Sequence, residues 1–124
     1  MRILLDTHLL LWSLGTPSKL SKAVLRRIDA AEAFASAASI WEIGIKAALG
    51  KLEADPEEVL SGLARAGYRL LPISGEHAVA AAKLPPIHRD PFDRMLIAQA
   101  LIEPMTLLTN DDLLERYGGF IEVV

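Results

Sequence analysis

Four acidic residues stand just after an expected strand or in the first turn of the helix that follows one. They are Asp6 after Ile3-Leu4-Leu5, Glu42 in Ser39-Ile40-Trp41-Glu42, Asp93 in Asp90-Pro91-Phe92-Asp93, and Asp111 after Leu107-Leu108-Thr109-Asn110. Asp90 and Asp112 lie close by. Carboxylates gathered without equal cationic partners repel one another, and a hard divalent cation with oxygen ligands relieves that repulsion. Mg²⁺ or Mn²⁺ is the cation that such a donor set implies. The chemistry it suits is phosphodiester hydrolysis, in which the metal lowers the pKa of an attacking water and stabilises charge on the leaving oxygen. No nucleophilic side chain is required.

Each acid also has a structural reading. Asp6 is the hardest to explain structurally, because a carboxylate after a fully apolar strand, with no cationic neighbour in sequence, is costly unless paired or metal-bound. Ser39-x-x-Glu42 has the form of a capping box, in which Glu42 would bond back to the cap residue, so both roles stay open for Glu42. Asp90 reads as the cap of a helix with Pro91 at its first position, which leaves Asp93 in the first turn as the ligand candidate. Asp111 and Asp112 could equally cap the helix that follows them. His8, His77 and His88 are dispersed along the chain, and hydrolysis by metal-activated water needs none of them. Trp41, beside Ile and Leu positions, reads as core, and Trp12 as a residue that a dimer partner could cover. Arg94 and Lys46 flank candidate ligands, either as phosphate contacts or as solvated or ion-paired side chains.

The elements that must position these acids alternate. Ile3 to Asp6 reads as a buried strand and His8 to Leu14 as a helix stopped by Gly15 and Pro17. Ser18 to Ala31 reads as helix and Ala33 to Ala37 as extended chain, followed by a helix from Ser39, its N-cap, to Leu49. Asp55-Pro56 opens another helix, which runs to Gly67 before a strand from Tyr68 to Ile73. A helix from Gly75 to Leu84 ends at Pro85-Pro86, and Asp90-Pro91 opens the helix through Ala100. Met105 to Thr109 reads as a strand, Asp111 to Tyr117 as a short helix and Phe120 to Val124 as a last strand. This order predicts an α/β fold, a three-layer α/β/α sandwich with a central, mostly parallel sheet and right-handed crossovers. Ligands on such sheets bind beyond the carboxyl ends of the strands, where the strand order reverses, and the acids fall at those ends. No repeat, low-complexity segment or linker interrupts the chain, so residues 1–124 read as a single domain.

Composition narrows the setting. The 124 residues are 52% hydrophobic and 23% charged, which argues for a packed core and against a disordered tail. The absence of cysteine excludes disulfide scaffolds, thiolate metal sites and thiol chemistry, and fits a cytoplasmic protein. Asp6 interrupts the apolar N-terminus too early for a signal peptide, so neither export nor a membrane partner is expected. The formal charge of −3 is unusual for a nucleic-acid enzyme, which normally neutralises phosphates with clustered Lys and Arg; metal ions would supply part of that charge.

Leu4-Leu5-Asp6-Thr7-His8, Ser39-Ile40-Trp41-Glu42-Ile43, Asp90-Pro91-Phe92-Asp93-Arg94 with Ile97-Ala98-Gln99-Ala100, and Leu108-Thr109-Asn110-Asp111 together resemble the successive acidic motifs of the PIN-domain ribonucleases. The resemblance is specifically to the VapC-like toxins of toxin-antitoxin modules. It implies an α/β/α sandwich in which Asp6, Glu42, Asp93 and Asp111 bind one or two Mg²⁺ or Mn²⁺ ions and Thr109 helps to order the site. It further implies endonucleolytic cleavage of RNA, a homodimer, and inhibition by a cognate antitoxin protein. A phosphoacceptor receiver domain shares the layered architecture, but no lysine follows Lys83 and the first strand ends in one Asp rather than an acidic pair. A haloacid-dehalogenase-like phosphatase would need a second Asp two residues after Asp6, and neither a P-loop nor G-x-G-x-x-G occurs. The remaining alternative is a catalytically silent domain of the same fold that binds nucleic acid or serves as a scaffold.

Overall fold

Strict two-residue alternation along the strands divides the apolar side chains between two faces of one sheet. In the computed structural model, which describes residues 1–124, the strands are β1 (Arg2–Leu5), β2 (Glu32–Ser36), β3 (Arg69–Leu71), β4 (Thr106–Thr109) and β5 (Ile121–Val123). They pair in the order β3-β2-β1-β4-β5, and all four pairings are parallel. The helices are α1 (Thr7–Gly15), α2 (Lys22–Asp29), α3 (Ala37–Ala48), α4 (Pro56–Arg65), α5 (Gly75–Lys83) and α6 (Pro91–Ile102), with 3₁₀ turns at Pro17–Lys19 and Asp112–Tyr117. Ile3, Leu5, Ala33, Ala35 and Leu108 enter one core with Leu9 and Leu10 of α1, Ile28 of α2 and Leu63 of α4. Leu4, Phe34 and Leu107 enter the other with Leu96, Ile97 and Ala100 of α6. Each fully buried leucine here contributes roughly 1.5–3 kcal/mol of transfer free energy, so β1 and β4, apolar on both faces, are the anchor of the sandwich.

The expected three-layer α/β/α architecture is thus present. From β1 the chain moves outward through β2 to β3, then crosses back to β4 and β5 on the other side of β1. Strand order therefore reverses between β1 and β4, and a crevice opens beyond their carboxyl ends. Asp6 stands there, its amide donating to the Leu108 carbonyl at 3.0 Å as the last bond between the two strands.

Several element boundaries differ from expectation for identifiable reasons. The helix expected over Ser18 to Ala31 is broken at Leu20, whose backbone is extended, and Ser21 caps α2 by accepting from the Val24 amide. The helix expected to start at Ser39 begins at Ala37, because Ser36 at the end of β2 is the cap and accepts from the Ala38 amide. Glu42 consequently lies beyond the first turn, and the Ser39-x-x-Glu42 capping box does not form. Trp41, expected in the core, is 64% exposed. The buried stripe of α3 runs through Ala38, Ser39, Glu42 and Ile43, and Trp41 lies off it, packed edge-on against Phe92 with ring centroids 5.4 Å apart.

Candidate functional site

Asp6 is fixed before any ligand arrives. As N-cap of α1 its Oδ1 accepts from the Leu9 amide at 2.8 Å. Its Oδ2 accepts from the Thr109 hydroxyl at 2.5 Å and from the Asn110 amide at 3.3 Å, so β1, α1 and the end of β4 all orient one carboxylate. Burial raises its pKa, and the bonds from Thr109, Leu9 and Asn110 oppose that rise. Thr109 serves a second purpose, since its oxygen accepts from the Asp111 amide at 3.0 Å.

Glu42 is held from the next helix. Thr7 Oγ1 lies 2.7 Å from Glu42 Oε1 and 2.9 Å from Ser39 Oγ. One hydroxyl proton cannot serve both contacts; the carboxylate only accepts, so Thr7 donates to Glu42 and accepts from Ser39. This explains why Ser39 is fully buried in α3 rather than capping it. The second oxygen of Glu42 pairs with Lys46 Nζ at 2.6 Å, one turn along the helix, and that bond raises the Lys46 pKa.

Asp93 and Asp111 close the opposite wall. Asp90 caps α6, accepting from the amides of Phe92 and Asp93 at 2.8 and 3.0 Å, which places Asp93 in the first turn. Asp111 caps the last 3₁₀ turn by accepting from the Leu113 amide at 3.0 Å. Burial above all, then the charge of Asp90, with smaller contributions from Glu42 and Asp6, pushes the Asp93 pKa up to about 7 against the opposing influence of His88.

The structure brings all four acids selected from the sequence to one cleft of about 330 Å³, together with Asp90 and Asp112. No hydrophobic residue lines it, and its six carboxylates face a single lysine, Lys46. The donor set fits a hard divalent cation, being oxygen-rich, strongly anionic and held by hydroxyls and amides that fix ligand orientation. The Asp93 carboxylate, its pKa raised first by burial and then by acidic neighbours, marks a strain that a bound cation would relieve.

Two basic residues behave differently from expectation. Arg94 turns away from the cleft and donates to the carbonyls of Ala81, Leu84, Pro85 and His88, pinning the loop before α6. His88, unassigned from the sequence, stands among the acids, with Nε2 3.2 Å from Asp93 Oδ2 and 3.3 Å from Asp111 Oδ2. A signal was available in His88-x-Asp90, since a histidine two residues before a cap is near enough to bond the cap amide. His77 is elsewhere, buried between α5 and α6, where it completes a capping box with Ser74 and pairs with Glu103 at 2.6 Å.

The sequence profile described as PIN domain matches residues 3–119, nearly the whole chain and every element of the cleft. The chain belongs to the PIN-domain family. Among solved structures, a chain of the Rickettsia felis VapBC2 complex bound to a promoter DNA fragment shares this PIN fold with a TM-score of 0.73 at 16% identity, covering 99% of this chain and 98% of that one. A chain of the DNA-bound VapBC complex of Salmonella typhimurium gives 0.69 at 18% identity, again covering 99% and 98%. A chain of FitAcB from Neisseria gonorrhoeae gives 0.59 at 21%, covering 88% and 87%. At these identities the likeness is one of fold. No curated protein sequence matches the chain. No helix of this PIN domain is long and apolar enough to cross a membrane.

Proposed function

We propose that this PIN domain is a metal-dependent endoribonuclease, the toxin of a toxin-antitoxin pair, with residues 1–124 working as one catalytic unit. The observation that carries the reading is the convergence of Asp6, Glu42, Asp93 and Asp111, from four separate segments, on one polar cleft at the sheet's switch point. Family membership supports the same reading. Those four carboxylates are the residues that would hold one or two Mg²⁺ or Mn²⁺ ions. When bound, a divalent cation supplies a lowered pKa for the attacking water and stabilisation of charge on the leaving oxygen.

The chain's own residues supply orientation. Thr109 and the Leu9 and Asn110 amides keep Asp6 ionisable and aimed into the cleft. Thr7 and Lys46 each take one oxygen of Glu42, which fixes the plane of that carboxylate against the Asp6 side of the cleft. Lys46 is also the cation nearest to hand for a phosphate entering the cleft. RNA is the substrate class, with a homodimer as the working assembly. A cognate antitoxin is the inhibitory partner, in keeping with the VapBC complexes that share the fold.

The test is cleavage by purified, antitoxin-free protein of a panel of structured RNAs in Mg²⁺ or Mn²⁺, with EDTA and Asp93→Asn controls. Discrete cuts lost in both controls are expected, the variant falling by at least about a hundredfold, the scale on which loss of a group stabilising transition-state charge is felt. Cleavage that survives both EDTA and Asp93→Asn would refute the reading.

A further inference from the structure

His88 has no part in the reading above, yet the chain fixes its backbone at two points and its ring at a third. Its backbone amide donates to the Tyr117 hydroxyl at 2.8 Å, and that hydroxyl donates to the Pro85 carbonyl at 2.9 Å. Its carbonyl accepts from Arg94 at 3.2 Å. Its Nδ1 accepts from the Asp90 amide at 3.1 Å. A nitrogen that accepts an N–H bond presents a lone pair, so the ring proton resides on Nε2.

That Nε2–H is the edge turned to the cleft. It donates to Asp111 Oδ2 at 3.3 Å and lies 3.2 Å from Asp93 Oδ2. His88, Asp93 and Asp111 are close enough together to resemble a three-ligand metal set. Ligation by Nε2 would require its lone pair to face the cleft and the proton to move to Nδ1, where it would meet the Asp90 N–H. The hydrogen bonding therefore makes His88 a donor to Asp111, with Asp93 alongside, and not a ligand beside them.

We propose that His88 is a positioning residue whose ring, bonded through Nδ1 to the Asp90 amide at the start of α6 and through Nε2–H to Asp111 beyond β4, presets the spacing of Asp111 from the neighbouring Asp93. This rests on the metal-centre reading of the same cleft. The two acids belong to separate elements, and no other side chain hydrogen-bonds the Asp111 carboxylate. Groups that orient metal ligands in this way typically change affinity by about 10–100-fold when removed.

Mn²⁺ binding, followed by electron paramagnetic resonance on the purified full chain, tests the proposal without reference to cleavage. His88→Ala is expected to weaken Mn²⁺ binding by about tenfold or more. His88→Gln, which returns an N–H near the Nε2 position, is expected to recover most of that loss. The Mn²⁺-loaded wild type is expected to show no directly coordinated nitrogen, a readout that depends on no variant folding. Wild-type affinity in His88→Ala, failure of His88→Gln to recover binding, or a coordinated nitrogen that is lost in His88→Gln would overturn the proposal and leave the metal centre standing. Absence of Mn²⁺ binding by the wild type would overturn both.

Discussion

Asp93 concentrates the electrostatic tension of the cleft in one side chain. Burial first, and then Asp90, lifts its pKa from 3.8 to about 7, so in the absence of metal the folded chain retains a proton there that the unfolded chain has released. The sign follows from linkage: Asp93 favours the folded state most below pH 3.8, and that contribution declines as pH rises to about 7. Asp93→Asn keeps the volume and removes the charge. It is expected to stabilise the metal-free protein by about 1–2 kcal/mol at pH 8, with the gain shrinking toward pH 4. Urea unfolding in EDTA at the two pH values measures this, and a variant less stable than wild type at pH 8 would count against it. At this scale the four acids were legible because Asp6 and Asp111 follow apolar strands and Glu42 and Asp93 stand three residues after a helix-start signal, Ser39 or Asp90. His88 was not, because its partners lie 5 and 23 residues away and meet it only through a loop shaped by Arg94 and Tyr117.

Elements bring the acids together through side chains that carry no charge. Thr109, at the end of β4, donates to Asp6 and accepts from the Asp111 amide, so one hydroxyl couples two strand ends. Thr109→Val preserves shape but leaves a buried carboxylate short of a donor and an amide short of an acceptor. The expected loss is about 2–3 kcal/mol of stability, read as a lower urea midpoint with an unchanged slope, together with weaker Mn²⁺ binding. Unchanged stability and unchanged binding would show that Thr109 is not what holds Asp6. The alternation of strand and helix was readable from apolar runs and from Asp-Pro starts at Asp55 and Asp90. The start of α3 was not, since Ser36 and Ser39 both suit a cap and only the packing of Thr7 against Ser39 decides between them. Trp41 was misplaced for the same reason: the polar Ser39 and Glu42 take the buried stripe because α3 faces the cleft.

The whole molecule reconciles an acidic chain with the phosphodiester substrate proposed for it. Six of its sixteen Asp and Glu residues line one cleft, so the net charge of −3 reflects a site that concentrates negative charge rather than a surface that repels RNA everywhere. A doubly wound parallel sheet places that cleft beyond the carboxyl ends of the neighbouring β1 and β4, where strand order reverses, and the acids arrive there from chain positions over one hundred residues apart. The central claim, that this cleft holds the divalent cation, is tested most directly by anomalous diffraction from wild-type crystals soaked in Mn²⁺, beside Asp6→Asn crystals. One or two Mn²⁺ peaks within about 2.5 Å of carboxylate oxygens of Asp6 and Asp93, weakened in Asp6→Asn, are the expected result. Mn²⁺ bound only outside the cleft, or held there equally well by Asp6→Asn, would contradict it.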